Sequence, residues 1–231
     1  MNFLEGEALY INKPLHWTSF SVVNKLRWTL SQTLGVKKIK VGHAGTLDPL
    51  ATGVLIVCTG KRTKQINEFQ AQSKEYIATL KIGETTPSFD LELPIDKTFP
   101  TQHIDLELIN RIIPDFVGEI QQTPPAYSAV KIDGKRAYHY AREGQEAPIQ
   151  PKSLIIDEIE ILHYENLTLV LRIVCSKGTY IRALARDIGM ALGSGAHLIA
   201  LERTRIGDVR LEDCLSIEQA VEIIEKEKPN L

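Results

Sequence analysis

Residues 41–53, Val-Gly-His-Ala-Gly-Thr-Leu-Asp-Pro-Leu-Ala-Thr-Gly, constrain this chain more than any other stretch. They set one carboxylate and one imidazole among three glycines and a proline, directly ahead of an apolar run. Glycine permits positive φ and close approach of other chain segments, while Pro49 fixes its own φ and biases Asp48 away from helix. The pattern predicts that Asp48 sits in a turn feeding a buried strand over 53–59. Asp-Pro alone is a common turn dipeptide whose Asp bonds its own backbone. Here the turn also carries His43.

A chain of 231 residues fits one large domain or two small ones. With 43% hydrophobic and 24% charged residues it has the composition of a globular protein rather than a disordered or collagen-like one. The longest apolar run, Val54 to Cys58, is too short to span a bilayer, and residues 1–5 lack a secretory pattern. Cys58, Cys175 and Cys214 are too scattered for a disulfide framework and form no Cys-x-x-Cys pair, which points to a reducing, cytoplasmic setting. His16, His43, His103, His139, His163 and His197 show no ligand spacing, so no metal is expected. Thr59-Gly60-Lys61-Arg62 lacks the upstream glycine and the following Ser or Thr of a phosphate-binding loop, and no nucleotide cofactor is expected.

The net charge of −2 argues by itself against a nucleic-acid binder. Its distribution softens that objection. Residues 211–231 hold six acids and two lysines, a net −4, which leaves +2 on residues 1–210. Basic clusters lie at Lys37-Lys38-Ile39-Lys40, Lys61-Arg62-Thr63-Lys64 and Lys135-Arg136, and each is also what a solvated surface looks like.

Along the chain, 9–12 reads as a strand ending at Lys13-Pro14. A helix follows, capped by Thr18 or Ser19, with Val22, Val23, Leu26 and Leu30 at helical spacing. Strands are expected over 76–82, 154–162 and 167–175. Helices are expected over 104–116, closed early by Pro114, and over 181–192, ended by Gly193. The segment 61–71 has no clear type. Residues 121–152, rich in Pro, Gly, Lys and Tyr, form an excursion. Ser216-Ile217-Glu218-Gln219 has capping-box spacing and opens a last helix. Interleaved elements of unequal length favour a mixed α+β sheet.

Two further clusters carry polar chemistry. Residues 175–182, Cys-Ser-Lys-Gly-Thr-Tyr-Ile-Arg, lie where a strand turns into a helix. An arginine there can keep a partly buried carboxylate ionised and fix its direction. Residues 74–76, Lys-Glu-Tyr, open a strand, and a tyrosine there is by itself as consistent with a core or interface aromatic. The string from Gly42 to Leu55 resembles the active-site loop of the TruB family of tRNA pseudouridine synthases, and Lys-Gly-Thr-Tyr-Ile-Arg resembles that family's second signature. Asn12-Lys13-Pro14, Pro125 to Lys131, Gly134-Lys135 with Tyr138, Ala141 to Gly144, Gly195 to Leu198 and Leu201 to Gly207 extend the resemblance over about residues 7–210.

The resemblance implies an α+β pseudouridine synthase fold, a long mixed, mostly antiparallel sheet flanked by helices with a central active-site cleft. It implies isomerisation of uridine 55 in the tRNA T-loop, with Asp48 as nucleophile or base, Arg182 orienting it, and Tyr76 stacking on the target and handling the C5 proton. His43 supports the extruded base, Tyr180 walls the pocket, Asp90 supports Arg182, Leu201 joins the substrate-binding set, and Lys13, Lys64 and Lys131 contact phosphates. The stretch at Asp90 departs from the family pattern, since Leu91-Glu92-Leu93 follows without the usual glycine. Residues 1–210 form the catalytic domain, with 121–152 contacting RNA. Residues 211–231 form an acidic helical tail with no complete second RNA-binding domain. The expected partner is the T-arm of tRNA, without cofactor, guide RNA or membrane, bound by a cytoplasmic monomer. A tRNA-folding chaperone and an aspartate-dependent hydrolase are the other readings; the second normally needs another carboxylate or a metal.

Overall fold

The computed structural model describes residues 1–128, 130–132, 135–142, 145 and 148–228, with backbone only at 131, 132, 135, 136, 138, 141 and 142. In chain order the elements are β1 (Ala8–Lys13), α1 (Ser19–Leu34), β2 (Val41–His43), β3 (Ala51–Thr59), α2 (Ile66–Ala71), β4 (Lys74–Ile82), β5 (Glu84–Thr85), β6 (Lys97–Thr98), α3 (Leu106–Ile112) and β7 (Gly118–Gln122). There follow β8 (Lys131–Ile132), β9 (Lys135–Arg136), α4 (Ala137–Arg142), β10 (Lys152–Glu165), β11 (Thr168–Cys175), α5 (Ile181–Ala191), β12 (Ala196–Ile206), β13 (Val209–Arg210) and α6 (Ile217–Glu225). The segment of unclear type, 61–71, is a 3₁₀ turn at Gly60–Gln65 running into α2.

The chain divides into two compact units, Met1–Glu75 with Glu202–Leu231, and Tyr76–Leu201. The boundaries fall inside β4 and β12.

In the first unit β3 lies between β1 and β12, and β2 also pairs with it. Its pairings with β1 and β2 are antiparallel, as is that of β12 with β13. Strand β3 is apolar from Val54 to Cys58 because both faces are covered there. Leu55 and Val57 join Leu9, Ile11, Val22, Leu26 and Leu30, whereas Val54, Ile56 and Cys58 pack with Ala44 and Ile206. Each such side chain contributes about 2 kcal/mol on leaving water. Helix α1 starts where Thr18 Oγ1 accepts from Ser21 N–H and stops at Gly35, whose φ of 63° suits the left-handed turn. Helix α6 carries the reciprocal capping box of Ser216 and Gln219. The acidic end of the chain is also a core element, since Ile217, Ala220 and Ile224 are buried in the α1 cluster.

In the second unit the strand order is β12-β4-β11-β10-β7. The pairings of β10 with β11 and with β7 are antiparallel, with register shifts after Ile156 and Ile161. Strand β4 alternates cleanly, burying Tyr76, Ala78, Leu80 and Ile82. Helix α3 ends before Pro114, as its missing N–H requires. Helix α5 packs so close to the start of β12 that a Cβ on Gly189 would stand 2.3 Å from Ala196 N. The mixed, mostly antiparallel α+β arrangement is the one expected. Among the described residues no helix is long and apolar enough to cross a membrane.

Candidate active site

The Asp48 loop belongs to the first unit and is pinned at nearly every residue. Ala44 N–H donates to Ile56 O at 2.9 Å, Ala51 N–H to Asp48 O at 3.1 Å, and His16 N–H to Pro49 O at 2.8 Å. The buried hydroxyl of Ser19 accepts from Leu47 N–H at 2.8 Å and donates to Leu47 O at 3.0 Å. Ser19 is therefore not the helix cap that its position suggests, and Thr18 takes that role. Beneath the loop lies Arg203, 1% exposed, whose guanidinium donates to Val54 O at 2.8 Å, Gly45 O at 3.1 Å and Thr46 O at 3.5 Å.

Two titratable groups beside the loop, Lys13 and His43, sit in the field of Arg203. Lys13 has no exposed surface, and its ammonium donates to Trp17 O at 2.7 Å and Pro14 O at 2.9 Å. Burial pushes its pKa down to about 8; Asp48 pulls it up and Arg203 pushes it further down. This corrects the expectation that Lys13 contacts phosphate, since its ammonium has no exposed surface and is held on two carbonyls. His43 is also held below its ordinary value, first by burial and then by Arg203, so the imidazole is neutral at pH 7. Lys64 lies exposed in the 3₁₀ turn Gly60–Gln65, where a phosphate contact is open to it.

The second unit gathers the other polar group. Arg182 and Asp90 face each other at 3.6 Å, their side chains 6% and 9% exposed. The guanidinium also donates to Tyr127 O at 3.0 Å and Ser88 O at 3.1 Å. Asp90 Oδ1 accepts from Glu92 N–H at 3.0 Å, and its carbonyl accepts from Thr86 Oγ1 at 2.6 Å, so the carboxylate is fixed without the glycine absent from this stretch. Tyr180 caps α5, its N–H donating to the buried Gln122 Oε1 at 2.9 Å. Tyr76 is 8% exposed on β4, and Leu201 is half-buried on β12. The side chain of Lys131 lies outside the described residues.

Sequence reasoning missed three of these groups. Arg203 and Gln122 are polar residues at positions where an apolar pattern would place core, and Ser19 read as a cap. A loop fixed through its own carbonyls around one carboxylate can present that group to a nucleoside, and a buried guanidinium on a helix end can orient an anionic group.

Solved structures share this fold. One is the Cbf5-Nop10-Gar1 complex, matched at 30% identity and a TM-score of 0.71 over 95% of this chain and 54% of that one. The chain thus spans about half the length of the solved relative. A family model for the N-terminal domain of TruB family pseudouridylate synthase matches residues 31–181, and one for the C-terminal domain of tRNA pseudouridylate synthase B matches 182–230. A protein of Parabacteroides distasonis named tRNA pseudouridine synthase B is 64% identical over 98% of this chain and 96% of its own length. One of the same name from Flavobacterium johnsoniae is 53% identical over 93% of this chain and 94% of its own. The class is that of the pseudouridine synthases, isomerases that act on RNA. Within it, this chain belongs to the TruB family.

Proposed function

We propose that the protein converts a uridine of tRNA to pseudouridine, and that its target is uridine 55 in the T-loop. The carrying observation is the 64% identity to a tRNA pseudouridine synthase B over nearly the full length of both chains. Residues 1–210 are read as the catalytic part, with 121–152 contacting the RNA and 211–231 as a short acidic helical tail. The enzyme works in the cytoplasm as a monomer on the T-arm, without a guide RNA.

The isomerisation breaks the N1–C1′ bond, turns the base, and joins C5 to C1′; the C5 proton leaves and N1 gains one. Nothing is oxidised or hydrolysed. In this reading Asp48 is the reacting carboxylate, attacking the nucleoside or taking the C2′ proton to give a glycal. Arg182, held by Asp90, keeps the reacting carboxylate oriented. Tyr76 stacks on the target base and handles its C5 proton, with Tyr180 and Leu201 walling the pocket. A neutral His43 supports the extruded conformation by stacking or hydrogen bonding, and Lys64 and Lys131 bind phosphates without reading sequence.

The test is position-mapped pseudouridine formation on an unmodified tRNA transcript, wild type beside Asp48→Asn. Conversion at the T-loop uridine that vanishes in the variant while binding persists supports the reading. Binding without conversion by either protein replaces it with a T-arm chaperone.

A further inference from the structure

We propose that Arg203 is a positioning residue for the reaction, one that sets the direction of the Asp48 carboxylate by locking the backbone two and three residues ahead of it. The inference rests on the reading of Asp48 as the reacting group.

A guanidinium does not give up its proton at any ordinary pH, so a side chain 1% exposed carries a full charge into the core of the first unit. A core position of that kind is filled at least as well by an apolar residue. What Arg203 gains in exchange is specific. Its Nε donates to Val54 O on β3, and its two terminal nitrogens donate to the successive carbonyls of Gly45 and Thr46. One rigid planar fork therefore ties the strand after the loop to the loop itself. A lysine ammonium is a single point charge and cannot span these three carbonyls in one geometry.

The main chain is arranged around that fork. Gly45 holds φ at 100°, a conformation that side chains rarely adopt, and this turns its carbonyl region towards Arg203, a Cβ there lying in ordinary contact, 3.7 Å from one terminal nitrogen. Gly53, at φ 105°, receives the Arg203 backbone so closely that no Cβ fits. Two of the three glycines in the 41–53 motif thus meet the same residue. Arg203 also biases the neighbouring groups electrostatically, holding down the pKa of both Lys13 and His43.

The experiment compares wild type, Arg203→Lys, Arg203→Met and Asp48→Asn in three measurements: tRNA dissociation constant, single-turnover pseudouridine formation, and the His43 titration by NMR. Arg203→Lys is expected to bind tRNA within about twofold of wild type while converting it about 100-fold more slowly, the scale of an ångström-sized misplacement of a reacting group. Arg203→Met is expected to let the His43 pKa rise towards its ordinary value. Wild-type single-turnover rates in folded Arg203 variants, or a loss wholly accounted for by weaker binding, overturn the proposal. In the wild-type protein, which needs no variant to fold, the Arg203 Nε–H must exchange slowly with solvent, and rapid exchange also overturns it. An active Asp48→Asn sinks the reading of Asp48 itself, whereas an inactive one beside fully active Arg203 variants sinks only this inference.

Discussion

A Cβ on Gly53 would lie 2.2 Å from the carbonyl oxygen of Arg203 and 2.8 Å from its amide nitrogen. Both obstacles are backbone of the neighbouring strand, which has no flexible end to move aside. Gly53 also holds φ at 105°, a region that costs a side chain strain. Gly53→Ala is therefore expected to lower the unfolding free energy by about 3 kcal/mol through overpacking and strain together. Urea denaturation checks this, and a loss under about 0.5 kcal/mol, the range of neutral surface changes, contradicts it.

Lys13 gives the protein a pH dependence of a definite sign. Its folded pKa of about 8 lies below the ordinary 10.5. Below pH 8 both folded and unfolded chains carry the proton, and the full cost of burying the ammonium is present. Between pH 8 and 10.5 the folded chain releases the proton first, so stability rises with pH. Relative to Lys13→Met, wild type is expected to gain about 3 kcal/mol across that window. A flat difference in parallel denaturation series would refute it. Because Asp48 pulls the Lys13 pKa up, Asp48→Asn is expected to lower it further.

The Asp90–Arg182 pair is almost closed to water, and removing one partner strands a buried charge. Asp90→Asn is expected to cost about 3 kcal/mol of stability, since a broken buried pair loses far more than an exposed one. The single-turnover rate should fall in the same variant if a loosened Arg182 no longer orients its target. Retention of both stability and rate would show that Ser88 O and Tyr127 O suffice to hold the guanidinium.

Ser19→Ala tests the upper anchor of the loop. It removes one hydroxyl but strands two groups of Leu47, an N–H and a carbonyl, in a buried place. Leaving them unsatisfied is expected to cost about 2 kcal/mol or more. Faster amide exchange at Leu47 would locate the loss, and unchanged protection there would argue against it.

Much of the local structure was legible in the chain. The turn at Asp48, strand β3, helix α1 with its cap at Thr18, the end of α3 before Pro114, and the capping box of α6 each follow from a residue that restricts its own backbone or satisfies its own helix end. Strand β12 was not legible. Its sequence, Ala-His-Leu-Ile-Ala-Leu-Glu-Arg-Thr-Arg-Ile, breaks apolar alternation with Glu202, Arg203 and Arg205, and one of those charges is buried while its neighbours are half-exposed. The core role of the acidic C-terminal segment was hidden for the converse reason. Its charge is carried on the face that α6 turns away from Ile217, Ala220 and Ile224.

The sequence by itself determined which side chains are candidates for chemistry: Asp48 in its glycine-rich turn, Tyr76 at the head of a strand, and Arg182 at a strand-to-helix junction. These signals are local, written in residues adjacent along the chain. Only the tertiary structure decided that Lys13 is buried on carbonyls, that Ser19 clamps Leu47, and that Arg203 carries the Asp48 loop from 157 residues away. Those roles depend on backbone carbonyls, which every residue possesses and no sequence pattern marks. Which carbonyl a buried cation meets is fixed by the packing of distant strands.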